Sequence, residues 1–125
     1  LLSEDWELFN LAISCMSPLR FREHWKHRTE EKYNIRLLDN RCGCCWKCCI
    51  EAMWLMDFGH MEFNVPYYVH CIEVLYKTVK KETGAWPESV REVWKNYMFY
   101  PYEQSKAKEV LDRATFRTGH AEYTE

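Results

Sequence analysis

Five cysteines fall between positions 42 and 49 of this chain, at Cys42, Cys44, Cys45, Cys48 and Cys49, and any fold must be built around what they bind. Neighbouring cysteines are too constrained to bridge one another well, and a disulfide framework needs partners at a distance. The full chain holds seven cysteines, an odd number, so they cannot all pair with one another. A metal is the chemistry that this spacing predicts. Cys42-Gly43-Cys44-Cys45 is one C-x-x-C step and Cys45-Trp46-Lys47-Cys48 the next. Gly43 permits the tight turn that lets thiolates converge, and a helix starting at Cys45 sets Cys45 and Cys48 on one face.

Three thiolates leave a tetrahedral ion one ligand short. The first candidate is Cys15, 27 residues before Cys42; Cys71 beside His70 is the next, and His24 and His27 form an H-x-x-H pair. Cys44 and Cys49 then become spares, although Cys49, four residues after Cys45, can stand in for Cys48. Zinc is favoured over an iron–sulfur cluster, which short C-x-x-C-x-x-C runs also serve. A closed four-thiolate site has no open coordination position, so its expected role is structural. Arg41 and Lys47 flank it and are expected to donate hydrogen bonds to sulfur. In a chain of 125 residues such a staple is a large term, on the order of 10 kcal/mol when the metal-free form is unstructured.

The rest of the pattern is helical, and we expect one all-α domain over residues 1–125. Glu4 to Ile13 carries apolar residues on one face behind Ser3 as N-cap. Pro18 opens a second helix, mostly polar from Arg20 to Tyr33, with Phe21, Trp25 and Arg28 setting its packing. Asn34 to Leu38 is read as a short extended piece and Asp39-Asn40 as a turn. Ile50 to Phe58 reads as a buried helix closed by Gly59, and Pro66 to Glu82 as an amphipathic one with Val69, Ile72, Leu75, Tyr76 and Val79 inward. Lys77, Lys80 and Lys81 suit its negative end, with Gly84 as the stop. Pro87 starts a helix to Met98, with Val90, Val93, Trp94 and Tyr97 inward; Pro101 breaks the chain; Gln104 to Phe116 is the last helix and Arg117 to Glu125 frays.

Several function classes are excluded. The four glycines are isolated, so no phosphate loop, Rossmann fingerprint or nucleophile elbow exists. A formal charge of −2 does not suit a basic nucleic-acid coat. No apolar run reaches the roughly 18 residues a membrane span needs, and no signal peptide is legible at the N-terminus. Reduced thiols imply a reducing, cytoplasmic setting. His24 and His27 read as a solvated helix face, His60 as a loop residue, and Tyr97, Phe99, Tyr100 and Tyr102 as a helix–helix corner. With Lys95 and Lys106 nearby, those aromatics are also a candidate platform for single-stranded bases. Lys77, Lys80, Lys81, Arg91 and Lys95 form a candidate phosphate strip, or simply solvated helix ends.

The pair Ser14-Cys15, followed by Cys42-Gly43-x-Cys45-x-Lys47-Cys48, resembles the C-terminal zinc segment of 7-cyano-7-deazaguanine synthases and related adenine-nucleotide alpha-hydrolase-like (PP-loop) proteins. The resemblance covers Ser14 to about Cys49 and implies Cys15, Cys42, Cys45 and Cys48 as ligands of one structural zinc. It also implies ATP-dependent activation of a carboxylate on a deazapurine, toward a nitrile for nucleic-acid base modification. The family's S-G-G-x-D-S pyrophosphate loop is absent, so ATP could be used only with residues outside this chain. The first residue, Leu1 rather than Met, fits the expectation of a carboxyl-terminal portion working with the remainder of a larger protein or a partner subunit, with no catalytic residue of its own. The alternative expectation is a non-enzymatic zinc-binding interaction module that contacts nucleic acid or a larger protein complex.

Overall fold

The computed structural model describes Cys15, residues 19–37 and residues 40–114. The expected first helix, Ser14, Pro18, Leu38, Asp39 and everything after Ala114 lie outside the described residues. Within them the chain is helical and contains no strand: α1 (Leu19–Tyr33), α2 (Trp46–Asp57), α3 (Val65–Thr83), α4 (Val90–Tyr97), a 3-10 turn (Tyr102–Gln104) and α5 (Lys108–Arg113). None of these helices is long and apolar enough to cross a membrane.

The core lies between α2 and α3. α2 has the sequence WKCCIEAMWLMD, and every residue from Cys48 to Asp57 is buried. α3 is amphipathic: Tyr67, Cys71, Ile72, Leu75, Tyr76 and Val79 recur at helical spacing and are buried. Asn64 caps α3 by accepting from the Tyr67 N–H at 2.9 Å, and its amide donates to the Tyr33 carbonyl at the end of α1 at 2.9 Å. One side chain thus closes one helix and opens another. Gly84, left-handed at φ +85°, ends α3 as expected.

Three boundaries differ from the expectation. α2 starts at Trp46 rather than Ile50, because Cys45 serves as its N-cap. α4 starts at Val90 rather than Pro87: Ser89 accepts from the Glu92 N–H at 3.2 Å, and Ser89-Val90-Arg91-Glu92 matches a capping box. The last expected helix is split, since Ser105 turns its hydroxyl to the Ala107 N–H at 3.0 Å between the 3-10 turn and α5.

α1 also packs differently. Phe21 and Trp25 are 44% and 40% exposed, with Arg20 and Arg28 lying over their rings. Among the described side chains of α1, Thr29 is the buried one.

At the other end of α2, Asp57 gathers the C-terminal region. Its Oδ2 accepts from Tyr68 at 2.7 Å, from Tyr100 and from Ser105 at 3.4 Å, and its Oδ1 accepts from the Lys106 N–H at 3.2 Å. Trp94 donates its indole N–H to the Tyr100 carbonyl at 2.9 Å, and Tyr100 and Tyr102 meet its ring edge-on. Tyr100 and Tyr102 therefore belong to a packed corner, whereas Phe99, 88% exposed, lies at its edge against Trp54.

Candidate metal centre

The loop before α2 is held from two sides. Thr29 of α1 donates its hydroxyl to the Cys42 carbonyl at 3.2 Å, and the phenol of Tyr67, fully buried in α3, donates to the Gly43 carbonyl at 2.8 Å. Gly43 sits at φ +80°, and a Cβ there would meet Leu37 Cδ1 at 2.5 Å and Thr29 Cγ2 at 2.9 Å. The turn therefore needs glycine for its backbone angle and also for the close approach of its neighbours.

This loop and the first turn of α2 bring four sulfurs together. Cys15, Cys42, Cys45 and Cys48 each place Sγ within 4.8 Å of the other three. The Cys42–Cys48 and Cys45–Cys15 pairs are 3.8 and 3.9 Å apart. Sulfurs bound at about 2.3 Å to one tetrahedral ion lie about 3.8 Å apart, whereas a disulfide needs about 2.05 Å. All seven cysteines are unbridged. The group can hold a single metal ion, and it contains the four residues that the sequence nominates.

Backbone donors complete the cluster. The Cys44 N–H points at the Cys42 sulfur and the Cys48 N–H at the Cys45 sulfur, both at 3.4 Å. Cys45 as N-cap and Cys48 in the first turn occupy the positive end of α2, which favours thiolate over thiol. Arg22 approaches the Cys15 carbonyl at 3.5 Å. As thiols, Cys48 and its neighbour Cys44 are pushed strongly toward the protonated form: hydrogen bonds to Cys42 and Cys45 and then burial raise Cys48, and the Cys42 hydrogen bond and then burial raise Cys44. A dication reverses this balance, because it supplies the charge that crowded thiolates lack.

The remaining sequence candidates lie elsewhere. Cys49 and Cys71 are both fully buried in the main core. Cys49 also approaches the Gly43 carbonyl at 3.9 Å, and it does not replace Cys48. His24 and His27 are exposed on α1. Cys44 is half-buried beside the cluster and offers its backbone N–H. Of the candidate phosphate strip, Lys80 donates to the Gly84 carbonyl and Arg91 pairs with Glu103, in keeping with solvated helix ends.

Each flanking cation has a partner besides the sulfurs. Lys47 lies over the Trp46 ring at 5.6 Å. Arg41 donates Nε to Glu51 Oε1 at 2.7 Å and NH1 to the Asn40 carbonyl at 3.2 Å. Burial pulls the Arg41 pKa down, but Glu51 and then the Cys48 and Cys15 sulfurs outweigh it and leave it raised. Its guanidinium thus contributes positive charge near the cluster. Glu51 was not singled out by sequence reasoning, since a lone glutamate in a helix is ordinarily solvated; its place inside an otherwise apolar run is the signal that could have found it.

The fold and site define an all-helical protein with a four-cysteine cluster able to hold one metal ion. No family model matches this chain, and neither does any curated protein or solved structure.

Proposed function

We propose that this chain is a helical module stapled by a structural zinc ion on Cys15, Cys42, Cys45 and Cys48, with no catalytic residue of its own. One observation carries the reading: four sulfurs from two distant stretches lie within 4.8 Å of one another, at the spacing of a single tetrahedral ion. Four thiolates suit zinc, fill its coordination shell and leave no position for substrate. A polynuclear iron–sulfur cluster, with thiolates on separate iron atoms, needs a wider spread. The test is elemental analysis of the chain purified under reducing conditions. One zinc per chain is expected, lost in Cys15→Ser and kept in Cys49→Ser. Absence of metal, iron in its place, or full zinc retention in Cys15→Ser overturns the assignment.

A narrower reading is favoured by the make-up of the ligand set. Cys15 joins a C-G-x-C-x-x-C element, as in the PP-loop family that the sequence resembles. On that reading the module is the zinc-bearing segment of an ATP-dependent deazapurine-modifying enzyme, with the ATP loop on residues outside this chain or on a partner subunit. The intact natural assembly then converts a deazapurine carboxylate to a nitrile at the expense of ATP. An assembly with no ATP-binding component refutes it and leaves the zinc-stapled interaction module.

A further inference from the structure

Tyr100 and Tyr102, which the sequence offers as a stacking platform, are taken up by the Trp94 corner. α1 supplies another platform. Phe21, Trp25, Arg28 and Lys32 recur at i, i+4, i+7 and i+11, which sets them on one face of the helix, and all four are exposed. Cations lie over the aromatic rings of α1: Arg20 is 4.8 Å from the Phe21 centroid, Arg28 5.4 Å from Trp25 and Lys32 5.5 Å from Tyr33. The helical period turns Glu23 and Glu30 to the opposite side and leaves Glu31 at the edge of this face. At its far end Trp25, Arg28, Lys32 and Tyr33 join His70 of α3 around a cavity of about 290 Å³. That is at the lower end of small-molecule sites, room for one flat ring system. The His70 ring meets Tyr33 at 5.4 Å and stacks on Tyr67 at 5.9 Å, which gives the cavity an aromatic wall.

We infer that this face of α1 and its cavity bind single-stranded nucleic acid, with one base in the cavity beside Trp25, a neighbouring base on Phe21, and phosphates on Arg20, Arg28 and Lys32. The chain as a whole carries −2, but α1 holds five basic residues against three acidic ones, so the attraction is local to this helix. Phe21 and Trp25 lie about 6 Å apart along the axis. That is wider than the roughly 3.4 Å step of a stacked strand, and it suits bases splayed apart. An exposed cation–ring contact is weaker than a base stack, so a base displaces the cation and the freed charge turns to phosphate. An acidic peptide would meet the cations but leave the rings uncovered, and two rings make too narrow an apolar face for a bilayer surface. None of the four clustered cysteines lines the cavity, so the inference goes beyond the metal reading, and its failure leaves that reading in place.

The experiment adds the full zinc-loaded chain to fluorescein-labelled oligothymidylate and oligouridylate and follows their anisotropy. Saturable binding is expected, weakening steeply between about 50 and 200 mM salt, with the matching duplexes bound at least about tenfold more weakly. Trp25→Ala lowers affinity about tenfold, the loss of one base stack. Arg28→Gln/Lys32→Gln weakens binding and reduces the salt slope by about 1.4, two phosphate contacts at about 0.7 each. Its two sites are exposed, so helical circular dichroism and zinc content stay intact and the test survives should Trp25→Ala fail to fold. Phe99→Ala, on the Trp94 corner, binds as wild type. No saturation at low salt, equal binding of duplex, equal competition by polyglutamate, an unchanged salt slope in Arg28→Gln/Lys32→Gln, or an equal loss in Phe99→Ala overturns the inference.

Discussion

Replacing Gly43 by alanine tests whether the turn at the metal centre is shaped by backbone angle alone or also by close packing. Gly84 is the matched control, since both residues are left-handed, at φ +80° and +85°. An added Cβ at Gly84 meets nothing within 4 Å, whereas at Gly43 it falls 2.5 Å from Leu37 Cδ1 and 2.9 Å from Thr29 Cγ2. The backbone contribution is shared and costs about 1–2 kcal/mol. The steric contribution belongs to Gly43 alone and adds about 1–3 kcal/mol, as overpacking does. Gly84→Ala is therefore expected to lose about 1–2 kcal/mol and Gly43→Ala about 2–5 kcal/mol, with each kcal/mol lowering Tm by about 4 °C. Thermal unfolding of the zinc-saturated proteins by circular dichroism measures the difference. Competition with a chromophoric chelator gives a second readout, in which Gly43→Ala binds zinc more weakly and Gly84→Ala binds as wild type. Leu37→Ala removes the nearest obstructing atom, so the double variant Gly43→Ala/Leu37→Ala loses less than the two single losses together. Equal losses at Gly43 and Gly84, or strict additivity with Leu37→Ala, would refute the reasoning.

Three further outcomes are expected. Arg41→Met leaves the Glu51 carboxylate buried without its partner and costs about 3–5 kcal/mol in chemical denaturation, whereas Arg41→Met/Glu51→Leu recovers most of that loss; similar stabilities for the single and double variants would place the pair in solvent. Asp57→Ala strips the acceptor from Tyr68 and Tyr100 and costs about 3 kcal/mol, with a change in tryptophan fluorescence as the Trp94 corner loosens; unchanged emission would contradict the corner geometry. Burial and then Glu82 push the Tyr97 phenol up to about 12. A raised folded pKa means that its share of stability is whole below pH 10, the ordinary phenol value, and disappears as pH rises toward about 12. Tyr97→Phe should flatten the alkaline fall in stability and remove one late step from the phenolate absorbance titration, and an unaltered titration would exclude the shift.

Much of the cysteine cluster was legible because thiol spacing is a covalent constraint: Cys42, Cys45 and Cys48 can converge with little dependence on the rest of the fold. Cys15 was nominated from its place in the chain, and its sulfur lies 3.9 Å from Cys45. The supports of the centre were not legible. Tyr67 and Thr29 fix the loop through single hydroxyls, and nothing in their local sequence distinguishes them from ordinary helical residues. Arg41 and Glu51 reverse the usual expectation that charge faces water, which only tertiary packing decides. Helix identity followed from periodicity, but helix starts followed side-chain caps: Ser89 overrode Pro87, and Cys45 moved α2 back by a turn. Phe21 and Trp25 stay exposed, whereas Thr29 is the buried one among the described side chains of α1.

α2 carries Cys48 in its first turn and Asp57 at its last residue, about 14 Å apart at 1.5 Å per residue. It is thus a strut anchored at both ends, by sulfur at one and by phenol hydroxyls at the other, with no free terminus from which unwinding could start. Were an ion held by the cysteines, chelating it would release one anchorage and leave the other under load, so disturbance there would travel along the rod to the tyrosines rather than stay local.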